Sequence, residues 1–159
     1  MTSPGASRAA CVVLDTNVCL DLFVFDDPRC AMLAQALATG ALRAITREDC
    51  RDEWRRVLSY PVLGLDQARR EQLVQRYDAT MSACRAPVAE TVALPRCADP
   101  DDQKFLELAS AARAVALVTR DEALLVLARR VQRAAGFAIL RPDAITPDWL
   151  RATSVVQPD

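Results

Sequence analysis

Two short apolar runs set the frame for this chain. "ACVVL" (10–14) leads straight into Asp15, and "VALVT" (115–119) leads through Arg120 into Asp121. Each is too short for a helix and too continuous for a strand with one wet face, so each predicts a strand buried on both sides. "LRAI" (42–45), "VAETVAL" (88–94) and "FAIL" (137–140) are further strand candidates. Helical patterns lie between them. Residues 27–40 carry Asp27 as cap, Pro28 at the first position and Gly40 just past the end. Residues 46–61 read as a helix with Thr46 as N-cap, Glu48 and Asp49 in the first turn and Pro61 as its stop. A third helix spans 66–83, amphipathic through Ala68, Leu73, Tyr77 and Met81. A fourth begins at Asp99 and Pro100, a fifth covers 121–135, and 146–152 form a short terminal one. Strands alternating with helices predict an α/β fold of three layers, α/β/α, around a parallel sheet of about five strands. At 159 residues the chain reads as one domain, with a core from about 11 to 142 and short tails.

Composition narrows the chemistry. Hydrophobic residues make up 52% and charged residues 26%, as in a folded globular chain. Net charge is −1, which argues against gripping nucleic acid by a bulk positive field and leaves local basic patches as the means. There are no histidines. Ser-His-Asp and Cys-His nucleophiles are therefore excluded, as are imidazole bases and imidazole metal ligands. Six cysteines without a C-x-x-C pair read as buried thiols in a reducing cytoplasm. No segment has the length and apolarity of a signal sequence or membrane span, so a cytoplasmic location is expected.

The remaining candidates are acids. In an open parallel sheet, ligands bind at the carboxyl ends of the strands, where Asp15 and Asp121 lie. Glu53 shares a helical stripe with Cys50 and Val57, and a carboxylate on an inward face needs a partner, an arginine being the simplest one. In "ADPDDQKFLELA", Asp99 is explained as an N-cap, while Asp101 and Asp102 border the apolar face about equally, with Gln103 farther round. Acids on separate elements that converge need protons or cations, and oxygen-only ligands suit Mg²⁺ or Mn²⁺. Phosphodiester chemistry is the usual work of such ions.

The segments "VVLDTNV", "DEWRRVL", "DPDDQKFLELA" and "LVTRDEALL", in this order and spacing from about residue 11 to 142, resemble the PIN-domain family. Within it the chain is similar to toxin components of bacterial toxin–antitoxin pairs. The resemblance implies a metal-dependent ribonuclease whose acids are Asp15, Glu53, Asp102 and Asp121. Asp102 is preferred to Asp101 by its spacing to Ala109, and Asp99 is an auxiliary candidate. Thr16, Asn17 and Thr119 match polar positions that orient the acids or bound water. Arg120 stands where many relatives have glycine in "TGD", so it either narrows the pocket or contacts phosphate. Gln103 replaces an acid found in some relatives.

The expected activity is endonucleolytic cleavage of RNA with Mg²⁺ or Mn²⁺. Asp15 and Asp121 would hold the principal ion, Glu53 and Asp102 would complete its shell, and the products would carry 5′-phosphate and 3′-hydroxyl ends. Arg47, Arg51, Arg55 and Arg56 are further candidates for phosphate contact, although a solvated helix face explains most of them. The implied partners are an RNA substrate, a cognate antitoxin and a second copy of the chain, with no membrane. The alternative is a PIN-like module that binds RNA or protein without cleaving it. An aspartyl phosphatase is disfavoured because Asn17 occupies the place of its second aspartate. A receiver domain is disfavoured because it needs an aspartate ending a middle strand and a lysine after its last strand.

Overall fold

The computed structural model describes residues 9–84 and 93–155. Five parallel strands form one sheet: β1 (Ala10–Leu14), β2 (Leu42–Thr46), β3 (Met81–Ala83), β4 (Ala116–Val118) and β5 (Ala138–Leu140), in the order β3-β2-β1-β4-β5. The helices are α1 (Thr16–Phe23), α2 (Ala31–Thr39), α3 (Glu48–Leu58), α4 (Gln67–Thr80), α5 (Gln103–Ala111), α6 (Glu122–Leu125), α7 (Ala128–Ala135) and α8 (Pro147–Val155).

Strand alternation divides the interior in two. Ala10, Val12 and Leu14 of β1, with Leu42 and Ala44 of β2, face Val18, Leu22, Leu33, Trp54, Leu73 and Tyr77. Val13, Ile45, Leu117 and Ile139 point the other way, against Phe105, Leu106, Leu108, Leu124 and Val131. Helices α1 to α4 thus bury one sheet face and α5 to α7 the other, which gives the three layers. Trp54 and Tyr77 stack with centroids 5.5 Å apart, and Phe23 meets both edge-on. This aromatic group anchors α1, α3 and α4 to each other.

Several elements differ from the sequence reading. Residues 16–23, to which that reading assigned no element, form α1. Their apolar residues Val18, Cys19, Leu22 and Phe23 recur at helical spacing and are buried. The third helix stops at Thr80 rather than 83, because Met81, Ser82 and Ala83 pair with Ala44, Ile45 and Thr46 as the edge strand. Sheet pairing overrides the helix propensity of Met and Ala there. The strand expected at 88–94 lies, for five of its seven residues, outside the described ones. Thr46 ends β2 instead of capping α3; Arg47 occupies the cap position, and the Thr46 hydroxyl lies 2.5 Å from the Tyr77 hydroxyl. Residues 121–135 split into α6 and α7. Gln103, placed away from the apolar face, is buried; its Oε1 accepts the N–H of Cys97 at 2.8 Å and its Nε2 donates to the Pro95 carbonyl at 3.1 Å. A side chain able to satisfy two backbone groups at once can enter an interior that helical spacing alone assigns to apolar residues.

All six cysteines are free thiols, four of them buried. No helix among the described residues is long and apolar enough to cross a membrane.

Candidate active site

After β1 the chain builds outward through β2 to β3, then returns to place β4 on the other side of β1. The carboxyl ends of β1 and β4 therefore flank the switch point where an open parallel sheet offers a crevice. The N–H of Asp15 donates to the Val118 carbonyl at 3.0 Å, which carries the β1–β4 ladder past the end of β1.

Asp15 caps α1 and is buried. Its Oδ1 accepts the backbone N–H of Thr16 at 2.7 Å, and its Oδ2 accepts the hydroxyl of Thr119 at 2.7 Å. Burial nevertheless pushes its carboxyl up to about 6, with those two bonds pulling down and Glu53 and Asp121 adding repulsion. The same Thr119 oxygen accepts the N–H of Asp121 at 3.0 Å. Asp121 caps α6 through the N–H of Ala123 at 2.9 Å. One hydroxyl thus ties both strand-end acids.

Asp102 closes the single 3₁₀ turn that Asp99 and Pro100 open before α5. It is buried, whereas Asp99 and Asp101 are exposed, so burial separates the two aspartates that helical spacing left tied. Burial, followed by a hydrogen bond that its protonated form makes to Asp121, pushes the Asp102 carboxyl up to about 8; Asp15 and Asp99 add repulsion. Asp99 spends its carboxylate on the N–H of Asp101 at 3.0 Å.

Glu53 reaches the same end of the sheet from α3, and its charge is answered locally. Lys104 donates to its Oε1 at 2.8 Å, Arg56 lies 3.8 Å from that oxygen, and the Thr16 hydroxyl donates to Oε2. Sequence reasoning anticipated an arginine and missed Lys104. The available signal was that the chain's one lysine sits beside Asp101 and Asp102 on the border of an apolar helix face. Asn17 follows on α1, and its Oδ1 is buried with no hydrogen-bond partner among the described groups.

Among the arginines offered as phosphate contacts, Arg120, Arg47 and Arg51 are held by acids, whereas Arg55 is in no ion pair among the described residues. Arg120 pairs with buried Asp21, Nε standing 2.5 Å from Oδ2 but poorly aligned for a hydrogen bond, and the guanidinium donating to Oδ1 at 3.2 Å. Arg47 pairs with Asp49 at 2.8 Å and Glu107 at 3.3 Å, and Arg51 with Asp78 at 2.7 Å.

The donor set suits a hard cation. Asp15, Asp102 and Asp121 come from three separate segments; burial first, and repulsion among them second, pushes two of the three toward the neutral form, and a divalent ion would relieve that repulsion. Among the described residues no group of three or more Cys, Asp or Glu side chains stands ready to ligate a metal by itself. Mg²⁺ keeps several waters and needs only one or two carboxylates, so Asp15, Asp102 and Asp121 fit a hydrated ion rather than a closed cage. A hollow of ≈ 360 Å³ between α3 and α4, lined by Arg55, Leu58, Arg70 and Val74 among others, includes none of these acids.

The model of the PIN domain matches residues 11–123. The chain belongs to the PIN-domain family. Among solved structures, this PIN domain is similar to a chain in the crystal structure of VapBC2 from Rickettsia felis bound to a DNA fragment from their promoter. The TM-score is 0.52 at 11% identity, over 81% of this chain and 96% of that one. That likeness concerns the fold. No curated protein matches the sequence significantly. The family match spans α1, α3, α5 and the strand ends, so it covers every acid described above.

Proposed function

We propose that this PIN domain is a metal-dependent endoribonuclease, acting as the toxin of a toxin–antitoxin pair. What supports the reading is that Thr119 ties Asp15 and Asp121 at the ends of β1 and β4, and that buried Asp102 is near enough to interact with both, in a chain whose residues 11–123 match the PIN domain. Members of this family are generally nucleases that depend on divalent metals.

Asp15, Asp102 and Asp121 would hold Mg²⁺ or Mn²⁺. A divalent ion held by them would supply an acidified water and stabilisation of the negative charge on phosphorus, so cleavage would need no histidine. Thr119 fixes the Asp15 carboxylate toward β4 and the backbone of Asp121 toward β1. The N–H of Thr16 fixes the second oxygen of Asp15. Asn17, with its unpartnered Oδ1, is available to orient water beside them. Asp99 serves as the cap that sets the turn carrying Asp102. The pairing of Arg120 with Asp21 supports a role for it in shaping the site wall, ahead of direct phosphate contact.

The resemblance of the sequence to toxin components, with a fold like that of a chain in the VapBC2 structure, supports a protein antitoxin as partner. Incubating purified protein with a mixed RNA pool tests the reading. Cleavage in Mn²⁺ or Mg²⁺ that stops with EDTA, returns on adding metal and leaves 5′-phosphates is expected. Binding of RNA without cleavage in any metal would favour the non-catalytic module instead.

A further inference from the structure

The four acids at this end of the sheet are not electrostatically alike. None of the ion pairs among the described residues involves Asp15, Asp102 or Asp121, whereas Glu53 has two cationic neighbours. The Arg56 side chain is 61% exposed and 3.8 Å away, so water screens it. Lys104 is the inner partner: its side chain is 16% exposed and Glu53's 12%. Its ammonium is held three ways, by Glu53 Oε1 at 2.8 Å, by the Asp101 carbonyl at 2.5 Å and over the Phe105 ring at 5.1 Å. With Thr16 on Oε2, both oxygens of Glu53 are engaged.

We propose that Lys104 is a resident cation for Glu53, so that the acidic cluster takes up a single divalent ion on Asp15, Asp102 and Asp121, with Glu53 outside its ligand set. The proposal rests on the metal-dependent reading above. For Glu53 to ligate an ion, the ammonium would have to leave a partly buried pair, and breaking such a pair strands a charge away from water. Lys104 instead supplies, within the chain, the positive charge that a second ion would bring. It also ties α5 to α3, which makes it a positioning residue for the turn that carries Asp102.

Manganese bound per folded chain, counted from the free-ion electron paramagnetic resonance signal at saturation, tests this without reference to activity. Wild type and Lys104→Arg, which keeps the charge, are expected to bind one ion. Lys104→Met, which leaves Glu53 uncompensated, is expected to bind two. The charge-conserving double variant Glu53→Gln with Lys104→Met is expected to return to one, while Asp15→Asn binds none. Two ions on the wild type, or one on a folded Lys104→Met, would overturn the proposal. So would loss of binding in the double variant when wild type binds one ion, which would make Glu53 a ligand while leaving the nuclease reading intact. Should Lys104→Met fail to fold, the wild-type and double-variant counts still decide. No ion on wild type at all would overturn both this proposal and the metal-dependent reading beneath it.

Discussion

Thr119 and Asp15 are 104 residues apart in sequence, and the hydroxyl of one donates to the buried carboxylate of the other at 2.7 Å. Because the same hydroxyl oxygen receives the N–H of Asp121, the two strand-end acids are positioned by one side chain. Thr119→Val keeps the shape and removes both bonds. A loss of about 1–2 kcal/mol of stability is expected, the usual cost of leaving buried polar groups unsatisfied. The Asp15 carboxyl should also rise further, since Thr119 is the stronger of the two bonds holding it down. Urea denaturation and Mn²⁺ affinity near neutral pH check the two effects; unchanged values for both would contradict the assigned role.

Metal-free protein should lose stability as pH rises. Asp15 and Asp102 have folded-state values of about 6 and about 8, above the ordinary 3.8, so the folded chain holds protons that the unfolded chain has released. Their stabilising contribution is complete below the unfolded value and disappears as pH climbs through the folded values. Between about pH 5 and about pH 8, Asp15 alone should cost on the order of 1–1.5 kcal/mol, about half of its full contribution. Mg²⁺ binds the ionised acids and should flatten or reverse the trend. Urea midpoints measured across that range in EDTA and in Mg²⁺ provide the check, and a profile that rises with pH in EDTA would be the contrary result.

Arg120 is expected to behave as a structural residue first. Removing its guanidinium in Arg120→Ala leaves Asp21 buried and unpaired. The expected loss is about 2–3 kcal/mol, less than for a fully buried pair because the arginine is one-third exposed. Asp21→Asn together with Arg120→Ala should recover part of it, and RNA affinity of the folded variant should stay close to wild type. An affinity loss with no change in denaturation midpoint would make Arg120 a phosphate contact instead.

Much of the fold was legible because its signals are local. The apolar runs before Asp15 and Asp121 form central strands, and the capping residues Asp27 and Asp99 open their elements as read. What escaped depends on partners distant in sequence. Met81–Ala83 looks helical by itself and becomes a strand only because β2 presents an open edge. Thr46 resembles a cap and instead completes β2, bonding Tyr77 31 residues later. The site shows the same division. Asp15 and Asp121 stand where the rule for strand ends puts them, whereas helical spacing left Asp101 and Asp102 tied, and the family resemblance preferred Asp102, which is the buried one of the two. The capture of Glu53 by Lys104 crosses 51 residues, and no spacing rule reaches that far.

If the acids at the switch point cut RNA, removing one of them must slow cleavage. The most direct measurement is the initial cleavage rate of one RNA substrate in Mn²⁺ by wild type and by Asp15→Asn, with folding of both confirmed by circular dichroism. A loss of at least about a hundredfold is expected in the variant, since it removes a carboxylate that would hold the ion stabilising charge at phosphorus. Equal rates for wild type and a folded Asp15→Asn would place the chemistry elsewhere and contradict that expectation.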